Sequence, residues 1–551
     1  MDITTRIKEF IRGEADDSPE TLKKYSHDAS LFEVRPKLVV FPKDVEDIKN
    51  LVKFTLRVRN EDPSISLTAR SAGSDMSGGP LTSSIVVELT RHINRFKEIG
   101  SDFAVVEPGI FYKDFEKKTL ERELLLPSYP ASRELCAIGG MIANNSGGEK
   151  TLAYGKTEDY VQELKMILSD GNEYRFGELS SKELEEKKAL HTLEGELYRK
   201  MYDLLDKNYE LLRSAKPQVT KNSAGYYLWD VMDKDRKTFD LTKLIVGSQG
   251  TLGIITEARL KLIRPYPHTR LLVIFLKDVK LIAEVAQHVL KYKPESFESY
   301  DDNTFKLGIK LFPDIAKKLK GNIIRLAFSF LPEFWMALTG GIPKLVLLAE
   351  FTGNTPEEAK RKADEAEADL KKKYDFKTKV TKSNSEAQKY WVIRRESFNL
   401  LRHHVKGLRT APFIDDFVVK PEDLPRFMPK LYSILDRYNI FYTIAGHVGN
   451  GNFHIIPLMD LSKPEAKMII KNLSEEVYKL IYEFHGSTTG EHNDGLIRSP
   501  FLKMMYGEKV YNLFEETKKI FDPDGIFNPH KKIGVTLDYA LSLINTNMDS
   551  K

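Results

Sequence analysis

Cysteine is nearly absent: Cys136 is the only one in 551 residues. That excludes an internal disulfide, a cysteine-ligated zinc site and an iron–sulfur cluster held by this chain alone. A reducing interior is the simplest home, so the expected location is cytoplasmic. No window reaches the ~20 consecutive apolar residues of a membrane span, and Met1-Asp2-Ile3-Thr4-Thr5-Arg6 lacks the charged-then-apolar pattern of a secretory signal. Nor is there a marked excess of one charge. Lysine plus arginine number 84 against 80 for aspartate plus glutamate, too small a bias for a nucleic-acid partner. No G-x-G-x-x-G opens a helix, which disfavours a nicotinamide fold of the Rossmann type.

With 41% hydrophobic and 30% charged residues, the chain has the composition of a globular protein of two or three folded units. Leu38-Val39-Val40-Phe41 reads as a strand, and Asp44 caps a helix running through Val45, Ile48, Leu51, Val52 and Val58. Ile65-Ser66-Leu67-Thr68 and Ser84-Ile85-Val86-Val87-Glu88-Leu89 are strand-like and bracket a glycine- and serine-rich loop. Residues 178 to 215 read as helical with a solvated face. Near residue 266 the texture changes to strand (Arg270 to Leu276), helix (Val279 to Tyr292) and strand (Glu295 to Tyr300). The pattern recurs with a strand from Lys344 to Phe351 and a helix opened by Thr355-Pro356-Glu357-Glu358. Two such halves predict an α+β unit whose helices cover one face of an antiparallel sheet. An amphipathic helix through Val510, Leu513, Phe514, Thr517 and Ile520 ends at Phe521-Asp522-Pro523-Asp524-Gly525. The apolar stretch 322–350, interrupted by Arg325, Glu333 and Lys344, predicts a buried strand-turn-strand. A membrane-contacting or partner-docking patch is the alternative there.

Three glycine-rich segments stand out. Ala69-Arg70-Ser71-Ala72-Gly73-Ser74-Asp75-Met76-Ser77-Gly78-Gly79 lies between two strands, where small residues let backbone amides approach a pyrophosphate. Ile138-Gly139-Gly140-Met141-Ile142-Ala143-Asn144-Asn145-Ser146-Gly147-Gly148 lacks a polar loop's composition, and close packing of backbone against a large planar ligand fits it better. Val246-Gly247-Ser248-Gln249-Gly250-Thr251-Leu252-Gly253-Ile254-Ile255 is a punctuated turn running into a strand.

A second constellation lies downstream. Gly446-His447-Val448-Gly449-Asn450-Gly451-Asn452-Phe453-His454 places two imidazoles seven residues apart around a bend, and Gly490-Glu491-His492 adds a carboxylate and a third imidazole. Together they offer three metal ligands and one unliganded base. Taken alone, the set equally suits a metallohydrolase that activates water.

The glycine-rich segments, with Pro130-Ala131-Ser132 before the second and Tyr154-Gly155-Lys156-Thr157 after it, resemble the flavin-binding domain of the vanillyl-alcohol oxidase superfamily. Adding the histidine constellation and Asn528-Pro529 makes the chain similar, over about residues 30 to 535 and in the family's order, to the FAD-linked D-2-hydroxyacid dehydrogenases. The resemblance implies an α+β fold with a two-part FAD-binding domain of the vanillyl-alcohol oxidase type at 31–265, preceded by an N-terminal helical extension at 1–30. It further implies an α+β cap domain, an antiparallel sheet covered by helices, at 266–505, and a C-terminal helical segment at 506–551 that returns to the FAD domain. Contacts to FAD are then expected from Arg70, Ser71, Ala72, Gly73, Ser74, Asp75, Ser77 and Gly78 in the first loop, and from Pro130 and Ser132. Others are expected from Gly139, Gly140, Ala143, Asn144, Gly147 and Gly148, from Tyr154 and Gly155, and from Gly250, Gly253, Ile254, Ile255 and Asn528. Relatives with covalent flavin carry a histidine in the first loop; Ala72 and Gly73 stand there, so noncovalent FAD is expected.

The implied reaction is oxidation of a small D-2-hydroxy acid to the 2-oxo acid, with hydride passing to flavin N5. His447, His454 and Glu491 become ligands of a divalent ion, zinc or manganese, and His492 the base. Arg395, or its neighbour Arg394, becomes the grip on the substrate carboxylate. Arg498 is a candidate second cation for a diacid, and Tyr226 in Lys221-Asn222-Ser223-Ala224-Gly225-Tyr226 a candidate substrate or flavin contact. Two departures stand out: Asn450 where aspartate is frequent, and Asn493 where glycine is. A third is the missing lysine ahead of Phe413-Ile414-Asp415-Asp416-Phe417. Electrons need an external acceptor: an iron–sulfur subunit, an electron-transfer flavoprotein, a quinone or a cytochrome. A homodimer and peripheral contact with the cytoplasmic face of a membrane are compatible with this reading. A flavin oxidase or transferase of the same fold is the alternative within the superfamily.

Overall fold

The structure, a computed structural model, describes residues 2–310, 342–404 and 407–547. Most of the apolar stretch 322–350 therefore lies outside the described residues; its end enters the strand Leu345–Gly353.

Three sheets organise the chain. The first orders Glu14–Asp16, Leu38–Phe41, Ile85–Glu88 and Leu67–Arg70, the last three mutually parallel. Both faces of Leu38–Phe41 are buried, as a near-continuous apolar run in a parallel sheet requires. Leu38 and Val40 pack with Ile48, Leu51 and Val52 of the helix Val45–Arg59. The alternate residues, Val39 and Phe41, meet Leu22 and Tyr25 on the other side. Asp44 caps that helix as the sequence predicts, accepting the amides of Glu46 and Asp47. Residues 2–30 are not wholly helical, because Glu14–Asp16 pairs antiparallel with Val39 to Phe41 at the sheet edge.

The second sheet is antiparallel, in the order Phe96–Ile99, Phe103–Val106, Ile254–Lys261, Val161–Ile167, Glu173–Ser180, Thr238–Asp240. Buried and half-buried residues alternate along Ile254–Lys261, the signature of a one-sided core. The helices of 181–215 complete that core: Leu197, Met201, Leu204 and Leu205 are buried.

The third sheet is the cap, also antiparallel. Its order is Lys377–Val380, His268–Leu276, Leu345–Gly353, Ser296–Asp301, Phe441–His447, Asn452–Met459 and Arg409–Thr410, with Phe417–Val418 also pairing onto Asn452–Met459. Helices Ile282–Leu290 and Pro356–Lys373 lie on one face, the α+β arrangement expected of this region. The helix Asn384–His404 lies on the other, where Tyr390, Trp391 and Ile393 meet Val273 and Leu348.

The C-terminal segment returns to the first sheet. Helix Leu502–Phe521 breaks at Gly507, whose φ of 76° only a residue without Cβ adopts cheaply. It ends at Asp522, whose carboxylate accepts the amides of Ile526 and Phe527 and the Lys518 ammonium. Residues 526–528 then bond Leu67 from both sides, through Leu67 N to Ile526 O at 2.8 Å and Asn528 N to Leu67 O at 2.8 Å. The last turn of the chain is thereby laid beside the strand that feeds the first glycine-rich loop.

Candidate active site

The hairpin Phe441–His447 and Asn452–Met459 sets His447 and His454 on one face of the cap sheet. Glu298, on the adjacent strand, accepts His447 Nδ1 at 2.6 Å. Asp415 accepts two imidazoles at once, His454 Nδ1 at 3.0 Å on Oδ1 and His492 Nδ1 at 2.7 Å on Oδ2. Each histidine therefore has its Nδ1 fixed by a carboxylate and turns Nε2 inward. All three inner nitrogens face one atom, Glu491 Oε1, at 3.1 Å from His447, 3.6 Å from His454 and 3.9 Å from His492. Lone pairs pointed at a carboxylate oxygen repel unless protons or a cation lie among them. Imidazoles oriented from behind by carboxylates, plus one carboxylate donor, fit a divalent cation.

Asp416 groups with His454, Glu491 and His492, their ligand atoms within 4.8 Å of one another, but serves as an anchor. Its Oδ2 accepts the amides of Glu491 and His492 and the Thr489 hydroxyl, and its Oδ1 accepts Asn452 Nδ2. Asn493 follows at φ 67°, a left-handed conformation that explains why glycine suits this position. Its amide binds Asn144 O at 3.1 Å and Gly247 O at 2.9 Å.

Charge is concentrated and almost dry. Burial alone would raise Glu491, but the Lys221 ammonium, 2.8 Å from Oε2, and then His447 hold it well below the usual carboxylate range. Burial works against the charged form of all three imidazoles. Glu298 more than offsets this for His447, which sits above the ordinary value. Asp415 and Asp416 push His492 up to about 9, whereas His454 stays lowered.

The glycine-rich segments converge beside this cluster. Loop 71–79 is folded on Asp75, whose Oδ2 accepts the amides of Ser77 and Gly79 and whose Oδ1 accepts Asn144 Nδ2 at 2.6 Å. The 138–148 segment, expected to pack its backbone closely against a planar ligand, contains a helix, Ile138–Asn144. Its glycines allow close approach: a Cβ on Gly139 would stand 2.6 Å from Pro108 Cβ and 2.9 Å from Ser71 Oγ. A Cβ on Gly147 would stand 3.2 Å from Glu491 Oε2, so the segment expected to hold flavin touches the segment expected to hold metal. Gly250 keeps a φ of 67°, and Ile254 and Ile255 begin the strand paired to Ile167 and Met166. Asn528 ties the first and third segments, donating Nδ2 to Gly79 O at 3.0 Å and Gln249 O at 2.7 Å. Ser71 to Asp75, Gly140, Ala143 and Asn144 remain half-exposed along one strip. That strip and the missing Cβ atoms fit a long planar cofactor.

Several expected contacts have partners within the protein. Arg70 is buried and donates to the carbonyls of Tyr25 and His27, so it clamps the N-terminal chain over the loop rather than presenting itself to a phosphate. Arg395 sends Nε and Nη2 to the two oxygens of Glu149, at 3.0 Å and 2.6 Å. Its neighbour Arg394 pairs with Glu298 Oε2 at 3.1 Å and so backs the carboxylate that orients His447. Arg498 is fully buried on the carbonyls of Asp415 and Asn493, which removes it as a second substrate cation. Tyr226 packs edge-on to Phe514 and shares a 2.6 Å hydrogen bond with Thr251. Tyr154 bonds Glu295 at 2.8 Å, and Gly155, with φ 80°, has no room for a Cβ beside Asp159. Pro130 and Ser132 cap the turn before Cys136 through their carbonyls. Glu298 and Lys221 had no predicted role. A glutamate inside a strand whose every residue is buried was the available signal for the first.

Family models match on both sides of this junction: an FAD binding domain over residues 36–177 and the C-terminal domain of FAD linked oxidases over residues 266–532. Similar proteins include the D-2-hydroxyglutarate dehydrogenase of Pseudomonas putida, 26% identical over 94% of this chain and 50% of its own length. The glycolate oxidase subunit GlcD of Bacillus subtilis is 26% identical over 94% of this chain and 93% of its own. The D-lactate dehydrogenase of Anaerostipes hadrus is 24% identical, covering 93% of each chain. The chain spans about half the length of the D-2-hydroxyglutarate dehydrogenases of Pseudomonas putida and three other bacteria. Among solved structures, 4-ethylphenol oxidase from Gulosibacter chungangensis shares the fold with a TM-score of 0.67 at 15% identity, over 97% of both chains. An alkyldihydroxyacetonephosphate synthase does so with a TM-score of 0.63 at 15% identity, over 96% of this chain and 84% of its own.

Proposed function

The chain belongs to the FAD-linked oxidases, carrying both their FAD-binding and their C-terminal domain, and on that premise we propose that it oxidises a D-2-hydroxy acid to the 2-oxo acid. One observation carries the reading: three inward Nε2 atoms and Glu491 Oε1 form a cation-ready cluster in contact with Gly147 of the flavin segment. A metallohydrolase would leave the FAD-binding domain without a task.

When bound, FAD supplies the two-electron sink, held noncovalently along 71–79, 138–148, 250–255 and Asn528. A divalent cation, when held by His447, His454 and Glu491, supplies the Lewis acidity that makes a hydroxyl proton labile. His492, which Asp415 and Asp416 raise to about 9, accepts that proton at Nε2 from its neutral form, a form that a dication held beside it favours. Asp415 fixes its tautomer and stabilises the imidazolium as the proton arrives, much as a buried carboxylate does in a hydrolase triad. Glu298 and Arg394 keep the His447 ring from rotating. Arg395 is assigned the substrate carboxylate, and taking it requires giving up the Glu149 fork. The single Cys136 leaves reoxidation to an external acceptor: an iron–sulfur subunit, an electron-transfer flavoprotein, a quinone or a cytochrome.

The test is anaerobic mixing of the flavin-loaded protein with the D and L forms of lactate and 2-hydroxyglutarate and with glycolate, read at the flavin band. Bleaching by a D acid or by glycolate, and not by the L forms, is expected. A band unmoved by every 2-hydroxy acid would discard the proposal.

A further inference from the structure

Residues 220–225 lie in sequence between the strands Glu173–Ser180 and Thr238–Asp240 of the flavin half, yet they dock on the cap. Thr220 Oγ1 donates to Asn450 O at 2.7 Å, Ser223 N to Thr489 O at 2.9 Å, and Ser487 Oγ to Asn222 Oδ1 at 2.6 Å. The segment drives Lys221 into the cluster. Its side chain is fully buried, with Nζ 2.8 Å from Glu491 Oε2 and 3.3 Å from Asn452 Oδ1.

Two consequences follow. The ammonium occupies Oε2, so only Oε1 faces the three imidazole nitrogens, and Glu491 can offer a cation one oxygen rather than two. A fixed positive charge also stands directly behind a ligand of a dication, in a dry site where charges act strongly. Both effects loosen the cation's hold on the protein and leave coordination positions open.

We propose that Lys221 is a positioning residue that keeps Glu491 a one-oxygen ligand and thereby preserves the open positions a substrate hydroxyl and carboxylate need. The inference rests on the metal reading above and deepens it. It also makes the cap's cation site depend on a residue from the flavin half.

The experiment titrates Mn2+ into the full-length, flavin-loaded, metal-stripped protein, followed by electron paramagnetic resonance, in wild type, Lys221→Met and Lys221→Arg. Lys221→Met is expected to bind Mn2+ at least about tenfold tighter, because a repulsion is removed and a second oxygen is freed. Its zero-field splitting should change. The Mn2+-loaded variant should bind oxalate, which needs two adjacent positions, at least about tenfold more weakly. Lys221→Arg keeps the charge and should stay within about threefold of wild type. If Lys221→Met fails to retain flavin, Lys221→Gln replaces it as the neutral variant. Unchanged affinity and an unchanged signal in the neutral variant would overturn the role of Lys221 alone. A wild type that takes up no Mn2+ would instead overturn the metal reading beneath it.

Discussion

Asp415 Oδ2 lies 2.7 Å from His492 Nδ1, and the second oxygen of the same carboxylate holds His454. One buried side chain thus aims both the proposed base and a proposed ligand, and their rings stack with centroids 4.9 Å apart. Arg498 fixes this carboxylate's own backbone by donating to Asp415 O at 2.8 Å. A change at Asp415 should therefore act on two functions together.

Asp415→Asn tests that coupling. An amide cannot accept from both imidazoles through equivalent oxygens, so one ring loses its tautomer or its direction. Such orienting partners are worth about 10–100-fold in metal affinity or activity. Metal affinity and kcat/KM are both expected to fall in that range with the flavin band intact. A variant within about twofold of wild type would remove Asp415 from the mechanism.

Asn528 should govern flavin retention. Its Nδ2 bridges Gly79 O and Gln249 O, and its Oδ1 accepts Thr68 Oγ1 at 3.1 Å. Asn528→Ala leaves two buried carbonyls without a donor at a cost of about 2–3 kcal/mol, and it places alanine at φ 39°. Gel filtration should show flavin lost from the variant under conditions where wild type stays loaded.

Noncovalent attachment has its own measurement. Ala72 and Gly73 offer no nucleophile in the first loop, and a side chain at 73 would collide with the Arg70 guanidinium 2.3 Å away. Acid precipitation should leave all the flavin in the supernatant. Colour in the pellet would contradict this.

Much of the fold was legible because it rests on local rules. The apolar run Leu38 to Phe41, the Asp44 cap and the Thr355-Pro356 helix start each carry their own explanation, and each lies where expected. The site was legible as a set of ligand types, since His447, His454, Glu491 and His492 share a spacing that chemistry recognises. What could not be read was pairing between distant residues. Arg395 and Glu149 are separated by 246 positions, Lys221 and Glu491 by 270, and His447 and Glu298 by 149. Periodicity says nothing about contacts at that range. The helix at 138–144 was missed for another reason: two glycines oppose helix by propensity, and burial of Ile138, Met141 and Ile142 overrides them.

The Glu149 and Arg395 fork makes an acid-dependent contribution to stability. Burial would raise the Glu149 carboxyl, but the adjacent guanidinium of Arg395, with Lys150 behind it, pulls it from its ordinary 4.5 down to about 2. A carboxylate whose folded value is depressed stabilises the protein above its unfolded value. That contribution is lost as pH falls through the folded value. The window is therefore from about 4.5 down to about 2. Glu149→Gln should lower stability by about 2 kcal/mol at neutral pH, since it leaves a largely buried guanidinium without its charge partner. Urea midpoints measured at descending pH should converge for wild type and variant within that window, the wild type falling more steeply. The same variant frees the Arg395 fork, so KM for the hydroxy acid should drop while kcat changes little, if Arg395 takes the substrate carboxylate. Convergence in urea with an unchanged KM would keep the ion pair as a purely structural clasp between the flavin segment and the cap, and would pass the substrate carboxylate to another cation.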